Sequence, residues 1–270
     1  MSRMVFALPF VMLALSAGAA SAQESGRALT DQAPYETFAE SDVEPSSNGL
    51  ARTISCTSFD DDSPYPLGYQ KTLDLAIQAL HVGRVEPEKG ARKCLVRMAE
   101  ALARHLVFED PNDPVPRYWY SAAMALRAGD EGGRTQVRLA QRAHEQARLV
   151  LTLAPNHAGA QYVLGRIHAA AMRLSGFKRF IATRIFGGKA LSEASWESAE
   201  SLLAAAARLQ PEVPDHHYEL GALYLDTDRP ESALAAFERV LACRPTDPFA
   251  LEVQVRAGEM VERLRRELEG

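Results

Sequence analysis

A 34-residue arrangement of large and small residues is the strongest structural signal in the sequence. Between Pro214 and Asp247, positions 7, 8, 11, 20, 24 and 32 of this unit are Leu220, Gly221, Tyr224, Ala233, Phe237 and Pro245. Small residues at positions 8 and 20 let two helix axes approach, and large residues at 7, 11 and 24 fill the layer between them. The proline at position 32 ends the second helix. The unit therefore predicts two antiparallel helices.

The same spacing recurs twice upstream, each time with extra residues between its two halves. One unit consists of Leu164, Gly165 and His168, followed 22 residues late by Ala199, Leu203, Ala206 and Pro211. The unit before it consists of Trp119, Ala122, Ala123 and Leu126, followed by Ala143, Ala147, Val150 and Pro155. Repetition at a fixed period predicts stacked helix pairs.

Weaker elements lie at either end of these units. Residues 69–82 and 89–108 form a less regular first pair, and residues 249–268 predict a final helix. A solenoid needs a last helix with one polar face. We expect the apolar face of this capping helix to carry Leu251, Val255, Val261 and Leu264.

The repeat resembles the tetratricopeptide repeat (TPR). The resemblance implies an all-α, right-handed helical solenoid of about four helix pairs and a C-terminal capping helix over residues 67–270. Around the insertion, residues 162–166, 179–183, 186–187, 196–199 and 209–211 resemble the C-terminal half of the regulator of microtubule dynamics family, a likeness that covers residues 115–247. That family implies a TPR-like fold and a scaffolding role, and its eukaryotic members are linked to microtubules and organelle contacts.

The first 22 residues have the layout of a secretory signal peptide. Arg3 precedes an apolar run from Met4 to Leu15, and small residues end at Ala22. This run is shorter than the roughly 20 residues that a bilayer-spanning helix needs. We therefore expect export to a periplasmic or extracellular location, and the alternative is an N-terminal segment that is retained as a membrane anchor.

Residues 23–66 predict a disordered acidic leader. They contain nine acidic and two basic residues and lack sustained apolar periodicity. In an oxidising compartment Cys56 of this leader can pair with Cys94, and the alternative is that all three cysteines, including Cys243, stay unpaired.

No catalytic, cofactor or metal site is predicted. The sequence lacks a P-loop, a G-x-S-x-G turn, an H-E-x-x-H motif and paired-cysteine metal spacing. His216 and His217 are adjacent, so on a helix they point about 100° apart and do not chelate one ion. With a net charge of -5, the chain has no global basic field that would indicate nucleic-acid binding.

Charge and repeat position together predict a partner-binding groove. Residues 115–191 contain twelve basic and three acidic residues, whereas residues 192–270 contain eight basic and sixteen acidic ones. In a TPR solenoid the first helix of each pair lines a concave groove, where arginines bind carboxylates and tyrosines give rigid contact area. The predicted partner-binding residues are Arg117, Tyr120, Met124, Arg127, Tyr162, Arg166, Arg173 and Tyr218. Ordinary packing is the alternative role for the tyrosines.

Two other uses of these charges stay open. The insertion carries an apolar stripe with flanking bases that either packs on the solenoid or lies on an anionic membrane surface; its residues are Phe177, Lys178, Arg179, Phe180, Ile181, Arg184 and Ile185. The acidic leader, or the acidic third of a second molecule, could instead mask the basic centre.

Taken together, these patterns predict an exported TPR adaptor that binds a protein or an acidic peptide and has no catalytic role. The alternative is a factor like the regulators of microtubule dynamics, with a retained N-terminal anchor and a role in cytoskeletal or membrane-contact scaffolding.

Overall fold

A computed structural model describes residues 68–176, 193–245 and 248–269. These residues form nine α-helices and no β-strand. The helices are α1 (Tyr69–Val85), α2 (Lys89–Glu109), α3 (Pro114–Asp130), α4 (Gly133–Leu153), α5 (Ala158–Arg173), α6 (Trp196–Leu209), α7 (Pro214–Asp226), α8 (Pro230–Ala242) and α9 (Pro248–Glu269).

Side-chain caps and prolines set the helix starts. The carboxylate of Glu88 accepts hydrogen bonds from the first amides of α2, and Asp113 accepts one from Val115 at the start of α3. The ring of His157 caps α5 and the hydroxyl of Ser195 caps α6. Helices α3, α7 and α8 carry proline in their first turn, where its missing amide costs nothing.

Consecutive helices pack as pairs, as the repeat predicts. Helix α1 packs against α2, α3 against α4, α5 against α6, and α7 against α8. At position 8 of two units, a Cβ added to Gly165 would lie 2.7 Å from Leu203, and one added to Gly221 would lie 2.8 Å from the Phe237 ring. Only glycine leaves room for the second helix at these two positions, because even alanine would overlap it.

The first helices of successive pairs also contact one another. Helix α3 contacts α1 and α5, and α5 contacts α7, so these four helices form one wall, which we call the inner wall. Helix α9 packs on α7 and α8 and also reaches α1. The described chain is thus the expected all-helical TPR-like solenoid, and its last helix contacts its first.

The capping helix is present, but the prediction was wrong for two residues of its apolar face, which are exposed. Val261 and Leu264 are buried as expected, whereas Leu251 and Val255 are 54% and 57% exposed. The buried face runs instead through Ala250, Val253, Ala257, Val261 and Leu264. The sequence has apolar residues on both sides of α9. The packing of α9 on α7 and α8 therefore decides which side is buried.

Several predicted segments lie outside the described residues. They include the signal peptide, the acidic leader and the insertion stripe with Phe177, Lys178, Arg179, Phe180, Ile181, Arg184 and Ile185. None of the nine described helices is long and apolar enough to cross a bilayer. Cys94 is disulfide-bonded and Cys243 is a buried free thiol; Cys56 is outside the described residues.

Candidate partner-binding site

The eight predicted partner-binding residues all lie on the inner wall, on helices α3, α5 and α7. Three of them are interior packing residues in this conformation: Met124 is completely buried, and Tyr162 and Tyr120 are 1% and 5% exposed. The Tyr162 ring packs on His216 at 4.9 Å between ring centroids. A partner would reach these three side chains only if the helices moved.

Tyr120 links α3 to α4 through its hydroxyl. This hydroxyl accepts a 2.6 Å hydrogen bond from Arg142 of α4. Burial raises the pKa of Tyr120, and the charge of Glu100 on α2 raises it further, while Arg142 and Arg104 oppose the shift. The side chain therefore stays a neutral phenol between α2 and α4.

Two of the predicted arginines hold neighbouring helices together. Arg117 is 7% exposed and donates hydrogen bonds to the Gln146 amide oxygen at 2.6 Å and to the carbonyl of Pro111. Arg127 donates to Glu100 at 2.7 Å, and a quarter of its side chain stays accessible. Arg127 therefore has surface left for a partner, whereas Arg117 does not.

Glu219 of α7 is the centre of an ion network on the inner wall. Its carboxylate lies 2.8 Å from Arg166 Nε and 3.9 Å from Arg173 Nη1, and both arginines belong to α5. Arg173 also contacts Asp226 at 2.6 Å. The Arg166 and Glu219 side chains are only 14% and 10% exposed, whereas Arg173 is 30% exposed.

Electrostatics keep Arg166 of this network ionised. Burial lowers the pKa of Arg166, but the charge of Glu219 and then that of Tyr162 outweigh it, so that the pKa is raised overall. Burial raises the pKa of Asp226 in spite of its contact with Arg173. Arg166 is thus a permanent cation whose carboxylate partner, Glu219, is supplied by the same chain.

A second buried contact joins the two ends of the solenoid. Arg84 of α1 is 4% exposed, lies 3.8 Å from Asp215 of α7, and stacks 3.6 Å from the centre of the Phe249 ring of α9. Sequence reasoning missed Arg84, Asp215 and Glu219, because no motif marks charges whose partners are so distant in the chain.

Tyr218 is the most accessible of the three predicted tyrosines, although it is still half-buried. Its ring packs edge-on against Phe237 at 5.4 Å, and the Arg256 guanidinium lies 5.1 Å from the ring centre. Tyr218, Arg127 and Arg173 are therefore the predicted residues that offer surface without rearrangement.

Buried histidines are a second feature that the spacing did not predict. The Nε2 atoms of His144 on α4 and His168 on α5 lie 3.2 Å apart in nearly parallel rings. Burial, then His168 and Arg148, lower the pKa of His144 to about 4. Both rings line a cavity of 460 Å³ between α4, α5 and α6. Within the described ranges, no three His, Cys, Asp or Glu side chains are arranged to hold a metal ion.

Comparison with known proteins identifies a family and a structural likeness. A family model described as "Regulator of microtubule dynamics protein 1-3" matches residues 70–265. No curated protein matches the sequence. The crystal structure of TTC0263, a thermophilic TPR protein from Thermus thermophilus, is similar at 21% identity, with a TM-score of 0.37 over 71% of this chain and 98% of that chain.

Proposed function

The chain belongs to the regulator of microtubule dynamics family, which supports a scaffolding role, and we propose that it is an exported scaffold that binds an acidic segment of another protein at its inner wall. The proposal assigns the protein a binding role on a TPR-like solenoid and no catalytic step. Its finer parts, export and the acidic partner, are argued separately below.

One observation supports the proposal that the partner is acidic: two arginines of the inner wall contact the same carboxylate, that of Glu219. Glu219 lies against Arg166 and Arg173, and an arginine fork is suited to carboxylates because its N–H groups point in parallel. Arg173 and Arg127 retain accessible surface toward a partner, and Tyr218 adds a rigid ring. Arg117, Tyr120, Met124, Tyr162 and Arg166 then act by positioning these groups.

Charge reversal of the accessible arginines tests this site. Arg127→Glu combined with Arg173→Glu should abolish binding of a fluorescein-labelled glutamate-rich peptide, measured by fluorescence anisotropy at low salt. Arg265→Glu is the matched control, because Arg265 also forms a 2.7 Å ion pair, with Glu238, but lies on α9. Circular dichroism checks that helix content is unchanged. Equal peptide affinity in wild type and in the double variant would exclude the inner wall as the binding site.

Export is supported by two independent features. The first 22 residues have the layout of a cleavable signal, and Cys94 is disulfide-bonded, as is common outside the reducing cytosol. Mass spectrometry of the mature N-terminus tests this. A chain that starts at Gln23 supports export after cleavage, and an intact Met1 supports a retained anchor.

Family membership favours a second candidate, an anchored scaffold at membranes or the cytoskeleton. In that case the insertion residues between Phe177 and Ile185 lie on an anionic bilayer, with Lys178, Arg179 and Arg184 near the lipid headgroups. Flotation with acidic vesicles separates the candidates. Co-flotation that is lost when these three bases are changed to glutamine supports membrane contact, and no co-flotation removes it.

A further inference from the structure

Helix α9 occupies the place of a first helix in a fifth pair. Counted from Pro248, which lies 34 residues after Pro214, its residues continue the repeat numbering of the preceding unit. Each first helix packs on the second helix of the pair before it: α3 on α2, α5 on α4 and α7 on α6. Helix α9 packs on α8 in the same way.

The buried face of α9 has the spacing of the upstream first helices. Positions 3, 6 and 10 are buried in α3, α5 and α7. In α9 the same positions, and position 14 one turn further, are no more than 4% exposed; they are Ala250, Val253, Ala257 and Val261. The repeat numbering therefore holds for α9 too.

In the upstream pairs, position 8 of the first helix lies against the second helix of the same pair. Gly165 of α5 lies against Leu203 of α6, and Gly221 of α7 lies against Phe237 of α8. Positions 4 and 11 lie one turn to either side of position 8 on the same helix face. This face is thus the one that second helices cover.

In α9 the corresponding face is uncovered within the described part of the chain. Position 4 is Leu251 and position 8 is Val255, and they are 54% and 57% exposed. At position 11, nothing lies within 4 Å of a Cβ added to Gly258. We call Leu251, Val255 and Gly258 the open face of α9.

Polar contacts with α8 fix this orientation of α9. The side-chain amide of Gln254, at position 7, donates hydrogen bonds to the backbone carbonyls of Val240 and Cys243 at the end of α8. Further along, Arg265 lies 2.7 Å from Glu238 of α8. Helix α9 is therefore held with its open face turned away from α8.

Helix α9 also continues past the point where the other first helices end. Helices α3, α5 and α7 contain 17, 16 and 13 residues, whereas α9 contains 22 and runs to Glu269. Among the described residues, no turn therefore brings a second helix back onto the open face.

Acidic residues border the open face. Glu252 and Glu259 are seven apart and share the side of the helix next to it, and Glu262 lies one turn beyond Gly258. All three are exposed, and none of them is in an ion pair within the residues that the structure describes. A helix with a basic edge is therefore stabilised here, whereas a second copy of α9 would bring like charges together.

The second helices of this chain indicate the apolar pattern that covers such a face. At positions 20, 24 and 27 they carry a small residue, a large one and a further apolar one, all buried: Ala199, Leu203 and Ala206 in α6, and Ala233, Phe237 and Val240 in α8.

From these observations we propose that the open face of α9 binds an amphipathic helix of another protein, in the place that second helices take in the upstream pairs. An apolar row of that pattern packs on Leu251 and Val255, and basic residues of the partner face Glu252 and Glu259. The surface lies at the end of the solenoid and has the opposite charge to the inner-wall arginines, so the proposal does not depend on the inner wall.

Peptide binding to the full chain tests the proposal. The probe is a fluorescein-labelled peptide with the sequence of residues 195–210, in which Glu197→Lys and Glu200→Lys change the net charge from -1 to +3. Fluorescence anisotropy at low salt should show saturable binding with a Kd below about 1 mM. The unchanged sequence should bind more weakly, because its two glutamates are repelled by those of α9.

Variants of the open face locate the binding. Leu251→Lys combined with Val255→Lys should weaken binding of the probe at least about tenfold, since two apolar contacts are lost and like charges are added. Glu252→Gln combined with Glu259→Gln should also weaken it and reduce its dependence on salt. Circular dichroism checks that helix content is unchanged.

A matched control uses two exposed leucines of α4 with the same spacing. Leu149 and Leu153 are 45% and 41% exposed, and Leu149→Lys combined with Leu153→Lys should leave the affinity for the probe unchanged. Absence of saturable binding to wild type would overturn the proposal. Equal affinity in wild type and in Leu251→Lys combined with Val255→Lys would also overturn it.

Sedimentation of the protein without peptide tests the other possible occupant. We expect a monomer. A wild-type dimer that becomes monomeric in Leu251→Lys combined with Val255→Lys would place a second copy on the open face and contradict the proposal. These outcomes are separate from binding of the glutamate-rich peptide, which tests the inner wall.

Discussion

At the scale of single residues, the inner wall depends most on Glu219. Its buried carboxylate serves two arginines at once. Removing one member of a buried ion pair leaves the other charge without compensation, which costs about 3 kcal/mol or more. Glu219→Gln should therefore lower the free energy of unfolding in urea by about that amount.

The control for this substitution is an ion pair of similar length at the surface. Glu238 lies 2.7 Å from Arg265, and both side chains are about half-exposed. Because exposed pairs contribute about 1 kcal/mol or less, Glu238→Gln should change the unfolding free energy little. Equal effects of the two substitutions would mean that Glu219 is not the centre of a buried network.

The lowered pKa values of three buried histidines predict how the stability of the fold depends on pH. Burial is the largest cause that lowers the pKa of His144, His157 and His216 to about 4, below the usual 6.5. The unfolded chain therefore binds more protons than the folded one between these values. Their contribution to stability is complete above about pH 6.5 and is lost as the pH falls toward 4.

His144→Gln tests this dependence while keeping a hydrogen-bonding group next to His168. Urea unfolding at several pH values between 6.5 and 4 should show a shallower loss of stability than in wild type, by at most about 1.4 kcal/mol per pH unit. His105→Gln, at a more exposed histidine of α2, serves as the control. An unchanged slope in His144→Gln would contradict a neutral buried His144.

At the scale of helices, Gly221 controls the approach of α7 and α8. A Cβ at this position would overlap the ring of the fully buried Phe237. Overpacking of a core costs about 1–3 kcal/mol, so Gly221→Ala should lower the midpoint of urea unfolding.

Gly258→Ala provides the opposite expectation in the same experiment. This glycine lies within α9, and nothing lies within 4 Å of an added Cβ. Alanine in a helix interior is favoured over glycine by about 0.5–1 kcal/mol, so this substitution should raise the midpoint. A stabilising Gly221→Ala would show that the pair has room to separate.

At the scale of the whole molecule, Arg84 couples the first helix pair to the last helix through Asp215 and Phe249. Arg84→Met keeps much of the side-chain length and removes the charge. Hydrogen exchange should then become faster in both α1 and α9, because the contact that closes the solenoid is weakened.

Arg92→Met is the local counterpart, since Arg92 pairs with Asp130 across the adjacent helices α2 and α3. Its effect on exchange should stay within those two helices. If exchange in α9 does not respond to Arg84→Met, the two ends of the solenoid are not coupled through this contact.

The helix pairs were determined by the sequence alone. Gly221 and Phe237 lie against each other within one 34-residue unit, so the sizes of residues at fixed spacing already specify how two helices pack. The same local rule identified the second helix in units whose halves are separated by extra residues, where Ala199 and Leu203 are buried as their positions predict.

Only the tertiary structure decided which charged side chains are paired within the chain and which stay accessible to a partner. Residues 115–191 have a strongly positive sum, yet Arg166 and Arg173 meet carboxylates of α7, and Arg84 meets Asp215 from more than a hundred residues away. Likewise, Leu251 and Val255 are exposed because α9 turns a different face toward its neighbours. Ion pairing and burial depend on distances through space, which the turn of the solenoid sets, whereas spacing along the chain fixes contacts only between neighbouring helices.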